Sequence, residues 1–311
     1  MSLSPRLYLR SLVDSAPIIG VLVASLVLGG CSAVRLGYNN GPTVIYWWLD
    51  SYFDFDSEQS LRMRNDLQAV QEWHRKAELP LLAHMLKDLQ AIAPKPVTPE
   101  QVCTLVSDLQ TRLHVALERV TPTIAAIAPG LQVAQLEHLS QEFERRDRKW
   151  RQQWIDGTAA ERSERRVKQI VERAESFYGT LEPAQLTVVR AHISSSSFDG
   201  GRQFQEMQRR HQDAMQVLRK IRTSETPSKQ ADAEIRNLLV RAVKAPAPAY
   251  RRYMEQLTFE SCSAMAALHN SSTPEQRTRL VQALKGYEDD ARALAAQRPQ
   301  ETPAEQAPSA L

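Results

Sequence analysis

Val97-Thr98-Pro99-Glu100-Gln101-Val102 opens the segment that decides the fold class. Thr98 offers a side-chain oxygen as helix N-cap. Pro99 suits the first helical position, where its missing N–H costs nothing. Gln101, three residues after the cap, reaches back to the Thr98 amide. Val102, Leu105, Val106, Leu109, Leu113, Leu117 and Val120 then recur at spacings of three and four. That is the buried stripe of an amphipathic helix. Pro122, Pro129 and Gly130 are expected to bound the connection that follows.

The same opening returns along the chain. Phe55-Asp56-Ser57-Glu58-Gln59, Leu181-Glu182-Pro183-Ala184-Gln185 and Ser272-Thr273-Pro274-Glu275-Gln276 repeat it. Leu131-Gln132-Val133-Ala134-Gln135 is a weaker copy, and Thr158 with Glu161 forms another box. An apolar residue ahead of the cap serves as a hydrophobic staple. The intervals are too irregular for a simple solenoid. Ala, Leu, Gln, Arg and Glu dominate, and only 11 residues are Gly, a composition that favours helices over sheets. The expected fold is all-α, a bundle or curved array of about nine or ten helices. Pro80 is expected to kink or break the helix begun at Asp56.

The N-terminus has a different character. Arg6 and Arg10 precede an apolar run from Ala16 to Leu28, too short to span a bilayer comfortably. Leu28-Gly29-Gly30-Cys31 ends that run and reads as a lipobox. Residues 1–30 are then a lipoprotein signal peptide, and Cys31 is the lipidation site. Two or three acyl chains anchor stably where one is marginal. Ser32 stands where an Asp would signal inner-membrane retention, which favours the outer membrane, facing the periplasm. Residues 31–41 form a tether reaching at most about 35 Å. Residues 42–297 form the helical domain, with a possible division into two subdomains near the Ser- and Gly-rich stretch 194–201. Residues 298–311, with three prolines, are expected to be a disordered tail.

Thr43 to Phe55 is the most aromatic segment. Ile45, Trp48, Leu49 and Tyr52 share one helical face, while Tyr46, Trp47 and Phe53 lie off it. A helix apolar on so much of its circumference is expected to be a central core helix. The other reading makes Tyr46, Trp47, Trp48, Asp50 and Tyr52 a membrane-proximal binding surface. A second candidate surface is basic: Arg145, Arg146, Arg148, Lys149 and Arg151, near Trp150 and Trp154. It suits anionic lipid or envelope glycan, or it is an ordinary solvated face. Cys103 and Cys262 stand open between a disulfide and two separate thiols.

Other chemistry is sparse. No two of the seven histidines lie three or four apart, so no metal site is indicated, nor any cofactor. His74 and His211 fall on apolar stripes as core histidines. No Gly-rich phosphate loop or nucleophile elbow occurs. A net charge of +3 gives no reason to expect nucleic acid. Asp50, Asp54, Asp56 and Glu58 form the one acidic cluster that suggests hydrolysis, although helix-start charges explain it more simply.

The capped phrases resemble the Leu-Thr-x-x-Gln boxes of small periplasmic chaperones of the Spy and CpxP type. A wider resemblance rests on Cys31, Tyr38-Asn39-Asn40, Tyr46-Trp47-Trp48-Leu49-Asp50, Ser57-Glu58-Gln59, Trp73-His74 and Glu78-Leu79-Pro80. These resemble an uncharacterised bacterial lipoprotein family, domain-of-unknown-function family 6279. That resemblance implies a helical envelope lipoprotein and brings no catalytic residues. The favoured expectation is a non-enzymatic protein that binds an envelope protein or client. A lipid- or glycan-binding protein comes second, and an envelope hydrolase third.

Overall fold

A computed structural model describes residues 30–223 and 227–297. Residues 1–29 of the expected signal peptide, Leu28 and Gly29 among them, and the expected tail at 298–311 lie outside the described residues. Every regular element among the described residues is helical, and there are more of them than the nine or ten expected. None of these helices is long and apolar enough to cross a membrane.

Contacts divide the chain after Gly41. In the first unit, α1 (Gly30–Asn39) is helical where a tether was expected. Its ten residues therefore cover about 15 Å along the axis rather than the extended reach. Asn40 ends it, with backbone and side-chain amides both donating to the Leu36 carbonyl at 3.1 and 2.8 Å.

The second unit, from Pro42, holds all but the first residue of α2 (Gly41–Phe53), then α3 (Ser57–Trp73). A π-helical turn, His74–Glu78, carries α3 directly into α4 (Leu79–Ile92). Pro80 therefore does not break the helix. Its ring would clash with the carbonyl four residues back. The wider turn, in which Leu79 N–H donates to the His74 carbonyl, moves that carbonyl aside. Next comes α5 (Pro99–Ile127), which runs straight through Pro122. Pro122 and Glu118, whose carbonyl would have accepted from the absent N–H, are both exposed residues. Only the 3-10 turn Ala128–Gly130 makes the expected connection.

The remaining elements are α6 (Val133–Trp154), α7 (Ala159–Tyr178), α8 (Pro183–Ser195), α9 (Gly200–Arg222), α10 (Pro227–Val243), α11 (Pro248–Asn270) and α12 (Pro274–Ala296). The principal pairings set α4 on α12, α5 on α10 and α11, α6 on α9, and α7 on α8 and α12. The larger core gathers Tyr46, Met63, Leu67, Ile127, Leu139, Met215, Ile221 and Ile235, from both sides of 194–201. A second core unites Val167, Ala174, Leu181, Val189, Ile193 and Leu268. Along α5, Val102 is buried, but Leu109 and Leu113 are exposed, contrary to the expected stripe. The middle of this long helix outruns the neighbours that cover its ends.

All the quoted openings are capping boxes: Asp56/Gln59, Thr98/Gln101, Gln132/Gln135, Thr158/Glu161, Glu182/Gln185 and Thr273/Gln276. Four of the glutamines do more than cap. The Gln59 and Gln135 amides exchange hydrogen bonds of 3.3 and 2.7 Å. Gln185 and Gln276 do the same at 2.7 and 3.0 Å. The remaining N–H groups donate to carbonyls at the partner helix's entrance: Gln59 to Gly130, Gln135 to Asp54, Gln185 to Ser271 and Gln276 to Thr180. Two helix starts are thus clasped side by side, once in each core region.

Candidate functional site

The surface that unites the two sequence candidates is built from α2, α6 and α9. Tyr46 turns inward, 4 % exposed, with its hydroxyl 2.9 Å from Ser60 Oγ. One residue on, the direction reverses: Trp47 and Trp48 are 57 % and 52 % exposed. The expectation of a central core helix is therefore wrong. Successive helical residues rotate by about 100°, and α2 has neighbours on one side only. Tyr52 and Phe53 are half-buried against the larger core.

Asp50 and Asp56 are engaged locally. Asp50 Oδ1 accepts from the Phe55 amide at 3.1 Å, and Asp56 Oδ1 accepts from the Gln59 amide at 2.9 Å. Asp54 lies in the left-handed region at φ 48°, closing the turn between α2 and α3. Two of the four acidic side chains, Asp50 and Asp56, thus serve the backbone of that turn.

The basic stretch divides by helical position. Arg145 pairs with Glu142 on its own helix. Arg148, Lys149 and Arg151 are exposed, and the Arg151 guanidinium lies 5.9 Å from the Phe204 ring centre. Arg146 turns towards α2, with its guanidinium 4.1 Å from the Tyr52 ring centre and 5.8 Å from that of Trp48. Its Nε is buried without a hydrogen bond among the described residues. Burial raises the Tyr52 pKa, and Arg146 only partly offsets it. On the opposite flank, Arg64 lies 3.7 Å from the Tyr46 ring centre and 5.3 Å from that of Trp47.

Beyond Tyr52 the aromatic series continues inward. Phe143 meets Tyr52 edge-on at 6.3 Å and stacks on the His211 imidazole at 4.0 Å. His211 Nδ1 is 3.2 Å from Asp147 Oδ1, without the alignment of a full hydrogen bond. Here an open groove of about 590 Å³ runs between α6 and α9. Gln208, Gln212 and Gln216 form an amide row on one wall, facing Ser140, Glu144 and Asp147. The i,i+4 spacing of these glutamines was visible in the sequence. Their role as a wall depends on α6 packing alongside.

Cys103 and Cys262 are bonded, with Cα atoms 5.4 Å apart, joining α5 to α11. Among the described residues no three His, Cys, Asp or Glu side chains gather as a metal site.

Four histidines are held below the ordinary imidazole pKa, each chiefly by burial: His74, His192, His211 and His269. His269 shows why. Its two nitrogens lie 2.9 Å from the Tyr178 hydroxyl and 2.9 Å from the Lys95 carbonyl. A neutral ring satisfies both, whereas a second ring proton would meet a hydroxyl that already donates. The folded state therefore favours neutral imidazole. Stability is complete above the unfolded pKa of about 6.5 and falls as pH drops through the lower folded values. Urea midpoints should decline between pH 7.5 and 5, above the range where most carboxylates titrate. Substituting His269→Gln should flatten that decline. An unchanged slope would show that burial at His269 contributes nothing.

No curated protein and no solved structure matches the chain. Residues 51–251, which contain the α6–α9 groove and most of the helical body, match the model of a family of unknown function, DUF6279, and the chain belongs to that family.

Proposed function

We propose that this protein is an envelope lipoprotein, anchored through acylated Cys31 to the outer membrane and facing the periplasm. Its role in this reading is to bind a polypeptide partner, without catalysis, in the groove between α6 and α9. The observation that carries the reading is the amide row Gln208, Gln212 and Gln216 along an open groove. Carboxamides both donate and accept, as does a peptide backbone, and Phe143 and Met215 supply apolar contact beside them. The Cys103–Cys262 bond fits an oxidising compartment. A second reading, envelope glycan, draws on the exposed Arg148, Lys149 and Arg151 beside the same helix.

A photo-crosslinking residue at Gln212, set against one at exposed Glu255 on α11, tests the groove in cells. A discrete protein adduct is expected from position 212 alone. Adducts from both positions, or from neither, would overturn the reading. Acyl labelling should disappear in Cys31→Ser, and labelling that persists would remove the anchor from the proposal.

A further inference from the structure

We propose that the outer face of α2 docks on an anionic phospholipid surface, with Trp47 and Trp48 at headgroup level and Arg64 and Arg146 beside lipid phosphates. Val44, Ile45, Trp47 and Trp48 are 62 %, 45 %, 57 % and 52 % exposed. At about 100° per residue they fall on one arc, together with exposed Ser51, opposite the inward Tyr46. No carboxylate lies on that arc. Large apolar side chains gathered on one exposed helical face mark a contact surface.

Charge selects the occupant. Arg64 lies 5.3 Å from the Trp47 ring centre and Arg146 lies 5.8 Å from that of Trp48. Each tryptophan therefore carries a guanidinium at its flank. Indoles that sit between water and acyl chains, bordered by cations, match the boundary of an anionic leaflet. Tyr46, opposite that arc, and half-buried Tyr52, near its edge beside Ile45, pack on the core and keep α2 fixed to the body. Docking would then orient the whole second unit rather than one free helix.

The inference rests on the anchored-lipoprotein reading only for a bilayer being within reach. The test keeps the two apart. The full-length protein, purified from membranes, is reconstituted into phosphatidylethanolamine/phosphatidylglycerol vesicles carrying brominated acyl chains. Tryptophan emission is then compared with that in unbrominated vesicles. Quenching is expected, and it should largely vanish in Trp47→Phe/Trp48→Phe, where Trp73, Trp150 and Trp154 still report. Arg64→Gln should reduce it by about half. Absence of quenching, or quenching undiminished in the Phe pair, overturns the docking face. Equal quenching with phosphatidylcholine in place of phosphatidylglycerol overturns the anionic assignment. The intact mass of the Cys31 peptide, measured on the same preparation, reports separately on the anchor.

Discussion

Gln276→Leu is expected to destabilise the helical body by about 3 kcal/mol. Four hydrogen bonds go with the amide, one of them its 3.0 Å donation to Gln185 Oε1. The Thr273 amide loses its capping acceptor, Gln276 Oε1, at 3.0 Å. The Thr180 carbonyl loses its donor at 2.9 Å. Gln185, only 1 % exposed, is left with an N–H that had donated to Gln276 at 2.7 Å. Water cannot readily replace these partners, so the desolvation of each group stays uncompensated. In a chain of this size that loss lowers the melting temperature by about 5 °C.

The pairwise nature of the clasp can be measured. Gln185→Leu/Gln276→Leu should cost clearly less than the sum of the single variants, because the second substitution removes a group already orphaned. By contrast, Gln135→Leu combined with Gln276→Leu should be additive, since those residues sit in different clasps. Chemical denaturation of the four variants decides the matter. Additivity within the Gln185/Gln276 pair would show that the two amides act only as separate caps.

The same glutamines mark how far the sequence could be read. Each capping box is local: cap and N3 residue lie three apart, and their geometry follows from helix initiation itself. All six were therefore legible. The clasps join residues 76 and 91 positions apart, and no local pattern encodes that proximity. Burial suffered for a related reason. Periodicity tells which residues share a face, but not whether a neighbour covers it. Tyr46 and Trp47 are adjacent and similar in chemistry, yet one is buried and the other exposed. The prolines misled in the other direction. Pro80 and Pro122 carry a real local cost, but a π-helical turn accommodates the first, and the second falls among exposed residues of an unbroken helix. The groove was missed: Gln208, Gln212 and Gln216 stand four apart in the sequence, but nothing local sets α6 opposite them.

Breaking the Cys103–Cys262 bond is expected to cost about 3 kcal/mol, the second large effect. The bond closes a loop across 159 positions. Chain entropy alone gives about 5 kcal/mol for such a loop, while measured values usually fall at about 2–4 kcal/mol. Cys262 is 1 % exposed, and its cluster holds Val102 and Ala266, with Val97 and Val106 packed against it. Two reduced thiols remain compatible with that apolar setting, so reduction should loosen the α5–α11 contact without unfolding the body. Cys103→Ala/Cys262→Ala should then match the reduced wild type, whereas Cys262→Ser should be worse, because its hydroxyl would be buried among valines. Thermal melts with and without dithiothreitol compare these species. A wild-type melt insensitive to reductant, in a sample whose thiols titrate as newly free, would mean that core packing alone holds α5 against α11. The effect also bears on location. A body that depends on this bond is fully stable only where thiols are oxidised. Protein made and kept under reducing conditions should therefore show the reduced melting point, and oxidation in vitro should restore the higher one.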